Sequence, residues 1–206
     1  NPIYILTVAT SADQAHILFT EIRTKLSRSD YFSNKIGHTD KDRIWLLTPE
    51  DRKRNKDLSD QGLYGACTKG TVVIMSGHSN SDSLLGKRYA CLCFDEVASF
   101  KTTGNASSGE RLYSALGPGT VDFSKPVYIE GGKHTTSPKN KEKAKPLLDK
   151  QGRHLKQLDS KIISISSPRS EEGIFFKLYN DTPTTASRLS FKLPTWKVNE
   201  AISEEM

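Results

Sequence analysis

The residues best suited to chemistry are two adjacent carboxylates, Asp95 and Glu96, at the end of the unbroken apolar run Tyr89-Ala90-Cys91-Leu92-Cys93-Phe94. A run of that length predicts a strand buried on both faces, as in a parallel sheet covered by helices. Acids at its end then sit at the carboxyl edge of the sheet, where α/β folds place their ligands. An apolar strand ending in Asp-Glu has the form of a Walker B element. In that arrangement Asp95 holds Mg²⁺, mostly through water, and Glu96 takes a proton from the water that attacks a nucleoside triphosphate. The plainer alternative is a strand that ends in solvated acids, and one short motif does not separate the two.

A second group with chemical potential is Ser166-Ser167-Pro168, directly after the apolar run Ile162-Ile163-Ser164-Ile165. It reads as a second buried strand, ending in hydroxyls. On a strand beside the acids, such hydroxyls can sense a γ-phosphate and pass its loss to a moving segment. A third group is basic. Lys133–Lys161 holds nine Lys or Arg against three acids, a local charge of +6 that equals the net charge of the whole chain. Lys139, Lys141, Lys143 and Lys145 are its densest part and suit a phosphate backbone. A solvated insertion is the alternative, since no aromatic residues are interleaved there to stack on bases. His78 and the serines of Ser79–Ser83 make a polar loop with no nucleophile elbow around them. Cys91 and Cys93 lie two apart on the acid-bearing strand and face one side as small apolar residues. With Cys67 they make an odd count with no disulfide framework or zinc-ligand spacing.

These groups need elements to hold them. The chain has 206 residues, 35% of them hydrophobic and 26% charged, enough for one domain with a folded core. No stretch reaches the roughly 18 apolar residues of a membrane span. Asn1-Pro2-Ile3 lacks the features of a signal peptide and reads as a start inside a larger protein. Ile3–Ala9 predicts a strand. Ser11 and Gln14 have capping-box spacing ahead of a helix over about 12–28, with Ala15, Leu18, Ile22 and Leu26 on its apolar face. Arg43–Thr48 and Thr71–Ser76 read as strands, with Pro49–Asp60 a turn or short helix between them. Ser107–Glu110 repeats the capping-box spacing before a helix that Gly117-Pro118-Gly119 stops. Val127–Glu130 reads as a strand. Gly131–Gln157 reads as a mobile loop, with a helix near 142–157. Ser170 caps a helix through Phe175, Phe176, Leu178 and Tyr179, and Arg188–Leu193 is a last strand. Strands alternating with helices predict an α/β fold: a mostly parallel sheet with helices on both faces.

Four stretches in this order resemble the large subunit of tailed-phage DNA-packaging terminases. Ala9-Thr10-Ser11-Ala12-Asp13-Gln14-Ala15 is similar to the strand-to-helix segment that follows the P-loop unit in that family. Ser79–Gly86 leading to Phe94-Asp95-Glu96-Val97-Ala98 is similar to its Walker B region. Ile163–Arg169, centred on Ser166-Ser167-Pro168, is similar to its coupling motif. Leu193–Asn199 is similar to the segment that leaves the ATPase domain for the nuclease domain. The match covers about 1–100 and 160–200.

The resemblance implies a P-loop NTPase-like fold over 1–194, incomplete at the N-terminus, and a linker over 195–206. It implies ATP and Mg²⁺ as cofactors, Asp95 as metal ligand, Glu96 as catalytic base, and Ser166 and Ser167 as coupling residues. Double-stranded DNA, a portal protein and a small terminase subunit are the implied partners, in a homo-oligomeric ring without membrane contact. The implied location is the host cytoplasm and, transiently, the viral prohead. Gln14 matches a family position, but its part in a helix cap is a sufficient reason for it. Two departures stand out. No G-x-x-x-x-G-K-[ST] occurs anywhere, which suggests a phosphate loop upstream of Asn1 and little turnover by this chain alone. Residues 118–160 do not match and read as a basic insertion. A helicase-like motor and a non-catalytic nucleic-acid-binding module are the alternatives.

Overall fold

The computed structural model describes residues 2–78, 84–100, 102–103, 106–140, 142–167, 173–181 and 189–190. The Ser79–Ser83 loop, Lys141, Pro168, Ser170, nearly all of the Arg188–Leu193 strand and the 195–206 linker lie outside the described residues. The elements are β1 (Ile3–Ala9), α1 (Ala12–Arg28), β2 (Ile36–Thr39), β3 (Arg43–Leu46), α2 (Pro49–Asp60), β4 (Val72–His78) and β5 (Tyr89–Asp95). Then come β6 (Thr102–Thr103), β7 (Ala106–Ser107), α3 (Ser108–Leu116), β8 (Ser124–Pro126), β9 (Tyr128–Glu130) and β10 (Lys133–Thr135). The last are β11 (Lys145–Pro146), β12 (Lys156–Leu158), β13 (Lys161–Ile165) and α4 (Gly173–Asn180).

Six strands form the main sheet in the order β13-β5-β1-β4-β3-β2. β13, β5, β1 and β4 run parallel, and β3 and β2 add an antiparallel hairpin at one edge. The register sorts the side chains by face. Leu6 lies beside Leu92 and Val8 beside Phe94, so these four share one face. That face packs on Leu112 and Leu116 of α3 and on Ile174 and Phe175 of α4. On the opposite face, Ile5, Val72, Ile74, Ile44 and Leu46 pack on Phe19, Ile22 and Leu26 of α1. Helices therefore cover both faces, as the alternation of elements predicts. Leu6, Val8, Leu92 and Phe94 are at most 2% exposed. Each such side chain contributes about 1.5–3 kcal/mol by leaving water. Gly119 brings the turn after α3 close to the start of β5, where a Cβ would meet the Lys87 carbonyl at 2.5 Å and the Tyr89 ring at 2.9 Å.

Local chemistry explains the helix starts. Ser11 accepts from the Gln14 amide at 3.2 Å and caps α1. The reciprocal half of that capping box is replaced, because Gln14 Oε1 accepts from the Thr10 hydroxyl at 2.6 Å. The buried apolar positions of α1 are Ala15, as expected, and Phe19 rather than Leu18. Pro49–Asp60 is a full helix, opened by a complete capping box in which Thr48 and Asp51 exchange bonds and Pro49 occupies the first turn. The Glu110 carboxylate, in the first turn of α3, pairs with Lys177 of α4 and so ties the two helices together.

Three expectations are corrected. The acid-bearing strand is fully buried on the Leu92–Phe94 face only. Cys91, Cys93 and Asp95 on its other face are half-buried, because α1 covers β1, β4 and β3 but not this end of the sheet. Among the described residues the Ile162–Ile165 strand is an edge strand: Ile162, Ile163 and Ile165 are 37%, 46% and 63% exposed. Residues 142–157 hold no helix among those described. They contribute β11 and part of β12 to two small sheets, and form the isolated bridge Leu148–His154. In this basic segment β9 pairs with β10 and β11, and β8 pairs with β12 through Ser124–Leu158. The Asp159 amide donates to the Phe123 carbonyl at 2.9 Å, so the segment leaves and re-enters the main domain at one place.

Candidate functional site

β5 and β13 are neighbours and parallel, with Ile165 directly beside Asp95. Ser166 therefore arrives at the same carboxyl rim as Asp95 and Glu96, 68 residues from the turn it touches. The Ala98 amide donates to Ser166 Oγ at 3.1 Å, and the Ser166 hydroxyl donates to the Ser167 carbonyl at 3.3 Å. Asp95, Glu96 and Ser166 are half-buried, whereas Ser167 is exposed.

Glu96 is the one non-glycine residue among those described with positive φ, at φ 51° and ψ 42°. A left-handed backbone at such a residue costs about 1–3 kcal/mol and persists only where the surroundings fix it. Here they do. A tight turn over Val97–Ser99 comes next, with the Ser99 amide donating to the Glu96 carbonyl at 2.8 Å. Val97 and Phe100, at its two ends, are buried in the main core beside Phe94. The chain must leave the strand, turn sharply and bury both side chains, and Glu96 takes the strain. Its carboxylate folds back, and Ser99 Oγ donates to Oε2 at 3.2 Å.

Mg²⁺ usually takes one or two carboxylates and fills its other positions with water and phosphate oxygens. A half-buried Asp95 at an open strand end fits that role. No group of three or more His, Cys, Asp or Glu that could hold a metal occurs among the described residues, so a dedicated all-protein cage is not on offer there. A phosphate cradle does not fit between β1 and α1. Between the end of β1 at Ala9 and the start of α1 at Ala12 lie only Thr10 and Ser11, with no glycine, and Ser11 is already the helix cap. The loop is too short to wrap a phosphate with backbone amides.

Cys91 and Cys93 project from the same face as Asp95, their sulfurs 3.7 Å apart. The hydrogen bond from Cys93 pulls the Cys91 thiol down to about 7, and the same contact pushes the Cys93 thiol up. A separate depression of about 590 Å³ lies at the carboxyl ends of β1 and β4 and includes Asp13, His16 and His78. None of Asp95, Glu96 and Ser166 lines it.

In the basic segment Lys139, Lys143 and Lys145 are exposed, as are Lys133, Lys150 and Lys156. The Lys139 and Asn140 amides both donate to Glu130, each at 3.1 Å, which tethers this loop and holds the Glu130 carboxyl below its ordinary range. Tyr128 and His154 pack edge to face at 5.4 Å between the lysine-bearing strands. Sequence spacing carries no sign of this aromatic pair, because its members are far apart in the chain and meet only through sheet pairing. Ser99 is equally invisible as a site residue in the sequence. Its signal, a hydroxyl three places after an acid that ends a strand, means nothing until the turn closes.

A mostly parallel sheet covered by helices, with an Asp-Glu pair and a serine on adjacent strands at one rim, fits an α/β domain of the P-loop-like kind. The chain belongs to the family described as "Uncharacterized protein MJ0330, N-terminal P-loop domain", whose model matches residues 1–118. No curated protein and no solved structure matches it. The family match runs from β1 through α3 and includes Asp95 and Glu96; Ser166 and the basic segment fall beyond it. P-loop domains bind nucleoside triphosphates with Mg²⁺.

Proposed function

We propose that this chain is part of the ATPase motor of a viral terminase large subunit, which uses ATP hydrolysis to drive double-stranded DNA into a prohead. The observation that carries the reading is the meeting of Asp95-Glu96 and Ser166 on adjacent parallel strands at one rim. Membership of a P-loop family supports the nucleotide half of it. The packaging half rests on the resemblance of the four ordered stretches.

In this reading the Glu96 carboxylate accepts a proton from the attacking water, using the oxygen that Ser99 leaves free. Asp95 would hold Mg²⁺, which neutralises phosphate charge when bound. Ser166 and Ser167 end the strand next to the acids and link the rim to the chain beyond β13. A glycine loop at the end of a further strand, laid parallel to β13 on its open edge, would face Asp95 and Ser166. The exposed lysines of the basic segment would meet the DNA backbone. A portal protein, a small terminase subunit, a homo-oligomeric ring, and a place in the host cytoplasm and at the prohead complete the proposal.

The test is hydrolysis and packaging by the full-length polypeptide. Glu96→Gln should retain ATP binding and lose about 10²–10⁴-fold in turnover, the usual range for a removed general base. Asp95→Asn should weaken the Mg²⁺ dependence as well. Turnover that survives both changes would sink the reading. The missing glycine loop favours a second reading, a nucleic-acid-binding module without catalysis. That reading gains if DNA binds while ATP does not.

A further inference from the structure

Glu96 carries three unusual features at once. Its backbone is left-handed, its carboxylate is turned onto its own turn, and that turn is tied to a strand 68 residues away. Resting on the reading of Glu96 as a base, we infer that the Val97–Ser99 turn is a positioning device. Ser99 orients the Glu96 carboxylate, and Ser166 of the neighbouring strand fixes the turn that aims it.

The hydroxyl of Ser166 already makes two bonds. It accepts from Ala98 and donates to the Ser167 carbonyl, so in this state it acts on the turn rather than on a ligand. Ala98 sits at the centre of the turn, between the buried anchors Val97 and Phe100. A bond at that point holds the Val97–Ala98 peptide in place, and with Val97 buried this fixes the turn that sets the backbone at Glu96. Ser99 then acts at the other end. A glutamate side chain is flexible and samples many rotamers on a rim. One donor at 3.2 Å to Oε2 selects among them and, among the described residues, leaves Oε1 open for a water proton. Ser99 and Ser166 are thus positioning residues that act through Glu96. Movement of the end of β13 would reach the base through a single hydrogen bond.

Two readouts test this. In the 206-residue chain, NMR couplings and intraresidue contacts report φ and χ1 of Glu96. Ser99→Ala should leave φ positive and turn χ1 into an average over rotamers, while Ser99→Thr restores one rotamer. Ser166→Ala should convert the positive-φ signature into a mixture, and Ser166→Thr should keep it. Unchanged shifts in β1 and β4 show that the sheet is intact in each variant. In the full-length polypeptide, Ser99→Ala should lower kcat roughly tenfold, with KM for ATP within about twofold and recovery in Ser99→Thr. Glu96 couplings identical to wild type in both alanine variants overturn the inference. A wild-type polypeptide that hydrolyses no ATP counts against the proposed function, and the couplings still decide the positioning.

Discussion

Ile165 lies directly beside Asp95 across a parallel ladder, yet Ile165 is 63% exposed while Asp95 is half-buried. The difference follows from position in the sheet. β5 has neighbours on both sides, whereas β13 has β5 on one side and, among the described residues, nothing on the other. An open strand edge bordered by exposed isoleucines is a template for another strand. The chain is therefore expected to self-associate through β13. Ile163→Lys with Ile165→Lys should shift sedimentation velocity toward the monomer at the same concentration, with little change in melting temperature because neither side chain is buried. Association that persists in the double variant would place the contact elsewhere.

Asp51 joins α2 to β4. Its carboxylate accepts from the Thr48 amide at 3.0 Å, the Thr71 amide at 2.8 Å and the Thr71 hydroxyl at 2.7 Å. Burial raises its pKa, but these bonds outweigh burial and hold the carboxyl below the ordinary carboxylate value. Asp51→Ala leaves these donors without a partner and should cost about 2–3 kcal/mol in denaturant titrations. The pH dependence has a definite sign. A depressed folded pKa means that the unfolded chain takes up the proton first. The contribution is complete above the unfolded value of about 3.9 and is lost as pH falls through the folded value. Wild type should lose stability through this acid window more steeply than Asp51→Asn.

Glu96 pays in backbone strain for where it stands. Glycine adopts its φ of 51° without a Cβ penalty. Glu96→Gly should therefore stabilise the fold by about 1 kcal/mol, a rise of roughly 2–4 °C in melting temperature for a chain of this size. The same change removes the proposed base. A more stable, inactive variant would match the trade-off expected at a strained functional residue. Calorimetry that shows a lower melting temperature would mean that the side chain, through Ser99, stabilises more than its backbone costs.

The basic segment makes its own forecast. Replacing Lys139, Lys141, Lys143 and Lys145 with Gln should weaken binding to duplex DNA about equally across sequences. It should also flatten the dependence of log K on log salt by up to about 3–4 units, roughly one for each phosphate that a lysine no longer neutralises. Filter binding at several salt concentrations measures both. An unchanged slope would leave these lysines as a solvated surface.

Much of the framework was legible in the chain itself. Ile3–Ala9 and Tyr89–Asp95 are apolar runs too long for turns, and Ser11 ahead of an amphipathic stretch marks where α1 begins. Each signal is local, since a strand pattern or a helix cap is set by residues within a few places of one another. The same locality explains the misses. Ile162–Ile165 reads as buried because its composition is apolar, and composition does not say whether a strand sits in the middle of a sheet or at its edge. The Lys-rich stretch reads as a mobile loop with a helix near 142–157. Pairing of Lys145–Pro146 with Tyr128–Glu130 and of Lys156–Leu158 with Ser124–Pro126 makes it sheet instead, because sheet propensity depends on which partner is available.

The sequence by itself determined that an acid pair would end a strand, that a serine pair would end another, and that these 206 residues carry no G-x-x-x-x-G-K-[ST] pattern. Only the tertiary structure decided that the two strands are neighbours, that Ser166 grips Ala98, and that Glu96 turns left-handed with Ser99 as its partner. The physical reason is distance along the chain. A hydrogen bond between residues 68 apart exists only once the sheet has set its strand order and brought the end of β13 beside the turn after β5.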